Sequence, residues 1–172
     1  MRLLYLFCVF VLLQQVHGKA KMGQVVKEDL QYIACDVCEA TVTELYSATQ
    51  NARSLQPKNK LDEVDIVTII ESICNPSSAT GEWIRKIDII ESTLKDKRVL
   101  SLIEPGGVAK CGNECATIAK SCQNLLHEEI DADELSALLW KNKSSLDELK
   151  VGSTNGQSIG ICFLPLNFQI VT

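Results

Sequence analysis

The stretch IACDVCEA, residues 33–40, puts Cys35 and Cys38 three positions apart in the middle of a helical pattern. From Val26 to about Thr49 the positions Leu30, Ile33, Ala34, Val37, Cys38, Thr41 and Leu45 recur at steps of three and four, with no Gly or Pro between them, which predicts one long amphipathic helix. A C-x2-C pair in such a place has three possible meanings. It can be a redox pair, half of a metal site, or two anchors for disulfides to distant parts of the chain.

The surrounding sequence bears on that choice. Arg2 precedes an uncharged apolar run over residues 3–13, and QQVHG follows. This is the pattern of a cleaved secretory signal, residues 1–18, with cleavage expected after Gly18. The run is well short of the roughly 20 residues that span a bilayer, and no second stretch of comparable apolarity follows, so no transmembrane segment is expected after cleavage. The remainder, residues 19–172, is long enough for one domain with a core of its own. The net charge is −5, one unit more negative without Arg2, which argues against nucleic acid as a partner. Of the eight cysteines, Cys8 leaves with the signal and an odd number enters an oxidising compartment. Most of these thiols are therefore expected in disulfides, with at least one free or paired between chains.

Farther along, SLQPKNK reads as a loop around Pro57. A second helix is expected over LDEVDIVTIIESIC, N-capped by Asp62 and stopped by Pro76, with Ile66, Ile69, Ile70, Ile73 and Cys74 on one face. Residues 82–104 are richer in β-branched residues. Trp83, Arg85, Ile87 and Ile89 alternate with Ile84, Lys86, Asp88 and Ile90, KDK at 95–97 is turn-like, and VLSLIE follows. This predicts a β-hairpin, with a helix as the rival because both faces carry isoleucines. A third helix carries Cys115, Ile118, Ala119, Cys122, Leu125 and Leu126 as a continuous stripe. A fourth starts at Asp131, with Glu134 three positions on in a capping-box pattern, and Ser145 and Glu148 offer a second box. After Lys150 the chain changes character: residues 151–172 contain no charged side chain.

The cysteine order over residues 30–150 is C-x2-C at 35 and 38, Cys74 at the end of the second helix, C-x3-C at 111 and 115, and Cys122 inside the third helix, followed by QNLLHEEIDADELSALL. In that order and on those helices the chain resembles the saposin-like fold, closest to the canopy-type branch and to plant proteins with a saposin B-type domain. The resemblance implies a mainly α, disulfide-linked bundle of four to five helices over residues 19–150 with a small β insertion at about 82–104. It implies a bond between Cys74 and Cys122, which would stabilise by roughly 4 kcal/mol on chain-entropy grounds. Cys111 and Cys115 are extra to the basic pattern and can bond to each other. It also implies that Cys35 and Cys38 each pair with a cysteine just after SSLDELK. None stands there, and the tail offers only Cys162. The tail is thus expected to be foreign to the family, for instance from an alternative exon, and the partners of Cys35 and Cys38 to be missing.

The alternatives for the pair stay open beside that implication. A redox role is favoured where a helix N-terminus lowers a thiol pKa, and this motif lies about two turns inside its helix. Zinc would need Cys35, Cys38, Cys111 and Cys115 as four sulfurs, in a compartment that favours disulfides. Structural anchoring is the preferred reading, with Cys35, Cys38, Cys74, Cys111, Cys115 and Cys122 as the disulfide cysteines. His127, beside Glu128 and Glu129, reads as a solvated helix end, and Trp83 and Trp140 as core or groove residues. No H-E-x-x-H motif is present, and EPGGVAKCG and EEIDADE lack the spacing of a phosphate loop and of a calcium loop. No enzyme activity, cofactor or metal is expected. Asn142-Lys143-Ser144 is a glycosylation sequon. The expected function is a non-enzymatic, protein-interacting or co-chaperone-type factor of the endoplasmic reticulum lumen or a secreted protein, with a lumenal client or chaperone as partner. Lipid binding and thiol–disulfide exchange by Cys35 and Cys38 are the alternatives. FQIVT at the C-terminus carries no K-D-E-L type signal.

Overall fold

The computed structural model describes residues 22–141, the short pairs 153–154 and 157–158, and Cys162. The signal-like residues 1–18, the sequon at Asn142, the second capping box and most of the tail lie outside the described residues. Four α-helices and a two-stranded hairpin make up the body: α1 (Leu30–Ser54), α2 (Glu63–Ile73), β1 (Asp88–Leu94), β2 (Lys97–Ile103), α3 (Asn113–Asn124) and α4 (Ala132–Trp140). A minimal second hairpin pairs β3 (Ser153–Thr154) with β4 (Gln157–Ser158).

α1 is the axis of the fold. It packs against α3, α2 and the hairpin, and α4 closes against α2. Its stripe of Ile33, Val37, Cys38, Val42 and Leu45 is buried, and so are two threonines. Thr41 and Thr49 are tolerated there because each hydroxyl donates to the carbonyl one turn back, Val37 and Leu45, at 2.7 Å. The helix runs one turn past the predicted end at Thr49. Leu45, Thr49 and Arg53 form an i, i+4 row, and Arg53 is buried at its far end. A 3-10 turn at Lys27–Asp29 leads in, so the helix proper begins at Leu30 rather than Val26.

The segment ahead of that turn is laid against the start of α3. Gly23 N donates to the Cys111 carbonyl (3.1 Å), Gln24 N to Asn113 Oδ1 (2.8 Å) and Val26 N to Thr117 Oγ1 (2.9 Å). The approach is so close that a Cβ on Gly23 would lie 2.2 Å from the Gly112 carbonyl carbon. Only glycine fits.

α2 begins after Asp62, whose backbone carbonyl accepts from Asp65 and Ile66 while its side chain makes no capping bond. Glu63 and Asp65 in the first turn complement the positive end of the helix. Ile66, Ile69, Ile70 and Ile73 face the core.

The largest departure from the sequence pattern is at residues 82–87. The alternation read there as strand is a 3-10 turn over Glu82–Arg85, which buries consecutive side chains, Trp83 (4% exposed) and Ile84 (0%). A strand would have sent them to opposite faces. Trp83 is fixed by its indole Nε1, which donates to the Ile73 carbonyl at 3.0 Å. The hairpin itself begins only at Asp88. Its register, Leu94 opposite Lys97, leaves Lys95 and Asp96 as a two-residue turn with φ of 50° and 62°. That is the type I′ geometry, whose twist suits a hairpin.

α3 carries its apolar stripe into a π-helical turn at Leu125–Glu129, closed by Ile130 N donating to the Leu125 carbonyl. Asp131 then caps α4: its Oδ1 accepts from Asp133 N (2.9 Å) and Glu134 N (3.2 Å). Trp140, read as core or groove, is 55% exposed at the end of α4.

Candidate functional site

Three disulfides staple this body. Cys74 at the end of α2 is bonded to Cys122 in α3 with Cα atoms 5.5 Å apart, and Cys111 to Cys115 at the start of α3 with 5.0 Å. The third corrects an expectation. Cys38 is not without a partner: it is bonded to Cys162 across 124 positions, with Cα atoms 5.6 Å apart. The uncharged tail therefore supplies an anchor point for α1. Cys35, expected among the disulfide cysteines, is exposed and carries no disulfide. The two members of the C-x2-C motif have unequal environments because they are three residues apart on a helix with one buried face. Cys38 is wholly buried and Cys35 looks outward. Three disulfides fit an oxidising secretory or extracellular environment.

The helix turn before Cys35 is joined to the hairpin by a side chain that the sequence pattern did not single out. Arg98, on β2, donates from Nη1 to Asp29 Oδ1 (2.8 Å) and from Nε to Glu91 Oε2 on β1 (3.0 Å), with Nη2 ion-paired to that same oxygen at 2.9 Å. Its guanidinium also lies over the Tyr32 ring, 5.5 Å from the centroid. Hydrogen bonds to Glu91 and then Asp29 hold the guanidinium above its ordinary pKa. The available signal was the diagonal cross-strand pairing of Arg98 with Glu91 on one sheet face, which becomes visible once the turn at 95–96 is placed.

The hairpin register sorts its side chains. Ile89, Leu100 and Leu102 share the face with Glu91 and Arg98 and are turned toward the helices, Leu100 fully so. The opposite face carries Ile90, Leu94, Val99 and Ile103. Leu94 is 64% exposed, Ile90 and Ile103 are also exposed, and Val99 is half-buried. The isoleucines seen on both faces of the pattern thus have two fates: one set enters the core and the other forms an apolar outer sheet face.

At the base of the hairpin lies an open cleft of about 410 Å3, with Arg85, Lys86, Ile87, Asp88, Lys110 and Glu114 among its lining residues. Arg85 clips its two walls together. Its Nε donates to the Ala109 carbonyl (2.8 Å), and Ala109 N donates back to the Arg85 carbonyl (2.9 Å). Nearby, Glu44 on α1 has its carboxyl pKa raised. Desolvation is the main cause and Glu104 adds repulsion, while Lys86 acts in the opposite direction.

His127 is exposed in the π-helical turn. Among the described residues no group of three or more His, Cys, Asp or Glu side chains is arranged to hold a metal ion, and no helix is long and apolar enough to cross a membrane. No family model, curated protein or solved structure matches the chain.

Proposed function

We propose that this chain is a saposin-like, non-enzymatic protein of the secretory pathway, lumenal or secreted, that works by binding another protein. The observation that carries the reading is the outer face of the hairpin. Ile90, Leu94 and Ile103 remain exposed on a sheet whose other face is packed on the helices and whose tip is clamped through Arg98. A rigid, partly apolar surface with unpaired strand edges is suited to docking a partner at low ordering cost. The disulfides support the compartment, and the order of helices and cysteines supports the saposin-like assignment.

The test is to express the full chain with Ile90→Lys and Leu94→Lys together and compare cross-linked lumenal proteins with those of the parent. Loss of a defined cross-linked protein, with the circular dichroism unchanged, supports the reading. Stoichiometric lipid in the purified parent, with cross-linking indifferent to the two lysines, would replace protein binding by lipid binding.

A further inference from the structure

Three cysteines are tied to one turn of α1: Cys35 with its exposed thiol, and three positions on Cys38, bonded to Cys162. Residues at i and i+3 of a helix have Cβ atoms about 5–6 Å apart. Any group bonded to Cys38 is therefore within a short displacement of Cys35, whose position along the helix axis is about 4.5 Å away. A thiol beside a disulfide needs no outside oxidant or reductant to react with it, because exchange conserves one thiol and one disulfide.

Two products can be written, and the geometry separates them. Attack on the Cys38 sulfur would release Cys162 and join Cys35 to Cys38. Neighbouring cysteines of one disulfide need Cβ atoms about 3.5–4.5 Å apart, closer than this helical spacing holds them. That product would require α1 to open in the middle of its buried stripe. Attack on Cys162 needs no bond between two positions of one helix. Cys162 is only half-buried, whereas Cys38 is wholly enclosed. The Cys38 thiol left behind stays within the buried apolar core, surroundings in which a thiol behaves as a small apolar group.

We propose that Cys35, Cys38 and Cys162 form an exchange site that passes Cys162 between two anchor positions one helical turn apart. The Cys35 thiol gives its proton to water, and its thiolate attacks the Cys162 sulfur. The Cys38–Cys162 bond breaks as the Cys35–Cys162 bond forms, and Cys38 leaves as a thiolate that takes a proton from water. The step is reversible and redox-neutral. It gives the protein two covalent isomers that tie residue 162 to α1 at positions one helical turn apart. The inference rests on the cysteine framework and is independent of the protein-binding reading.

The experiment uses the folded full chain in buffer free of added thiols. Samples held at pH 6 and at pH 8 are quenched in acid, alkylated and cleaved at Asp36, which separates Cys35 from Cys38. The expected result is alkylation divided between Cys35 and Cys38, with a Cys35–Cys162 peptide and no alkylated Cys162. The approach to that mixture should be many-fold faster at pH 8, since the thiolate is the nucleophile, and its rate unchanged by tenfold dilution. In Cys35→Ser, Cys38 should stay unalkylated. Alkylation confined to Cys35 at both pH values overturns the proposal. So does alkylated Cys162 with a Cys35–Cys38 peptide, which would mean release of the tail, and so does Cys38 alkylation that persists in Cys35→Ser.

Discussion

Arg53, in the last turn of α1, donates from Nη2 to the backbone carbonyl of Leu139, 86 positions later in α4, and to that of Trp140 at 3.3 Å. The side chain is only 5% exposed. A buried guanidinium thus terminates a helix to which it is not connected, satisfying carbonyls that have no partner within α4 and placing positive charge at its negative end.

Replacing Arg53 by Met keeps the stem and removes the donors. The orphaned carbonyls should cost about 1–3 kcal/mol. Denaturant unfolding of Arg53→Met should show that loss with an unchanged slope, and Arg53→Lys should recover part of it. A midpoint equal to that of the parent would mean the contact contributes nothing net.

The hairpin turn uses the wrong residues for its geometry. Lys95 and Asp96 both take positive φ, where Asn-Gly is preferred. Substituting Lys95→Asn with Asp96→Gly should stabilise by about 1 kcal/mol. A higher melting temperature is the readout, and an unchanged or lower one would contradict the assigned turn.

Asp131 should be worth about 1 kcal/mol as a cap, since two backbone donors rely on its Oδ1. Asp131→Ala should lose that amount in thermal or denaturant unfolding, and Asp131→Asn or Ser should restore most of it. Equal loss in all three variants would point away from capping.

Glu44 gives a dependence on pH with a definite sign. Its pKa in the folded protein is raised above the ordinary 4.5, with burial as the main cause. The folded state therefore holds this proton more tightly than the unfolded state. The resulting contribution to stability is complete below about pH 4.5 and is lost as pH rises through the folded value. Glu44→Gln should therefore be more stable than the parent at pH 7, with the difference shrinking to nothing below pH 4.5. A variant less stable at neutral pH would show that the attraction of Lys86 outweighs burial.

The parts of the fold that were legible are those set by neighbours in the chain. The stripe around Ile33 and Val37, the isoleucine face of α2, the Asp131 start of α4 and the turn near Lys95 all depend on residues within about one helical turn or across one tight turn. Trp83 and Ile84 were misread because a four-residue 3-10 turn is too short to display its period, and their β-branched and aromatic neighbours imitate a strand. Arg53 had a local hint, the row Leu45, Thr49, Arg53, but a lone arginine at a helix end reads as solvated until its acceptor is known.

The clamp and the tail anchor were not legible in that sense. Arg98 meets Asp29 across 69 positions, and Cys38 meets Cys162 across 124. By itself the sequence determined the helices and the turn of the hairpin, because each follows from short-range geometry. Only the tertiary structure decided which sulfur of the C-x2-C motif is spent and which is left exposed. Both cysteines lie on the same helix, and the difference between them comes from the packing that buries Cys38 and brings residue 162 to it.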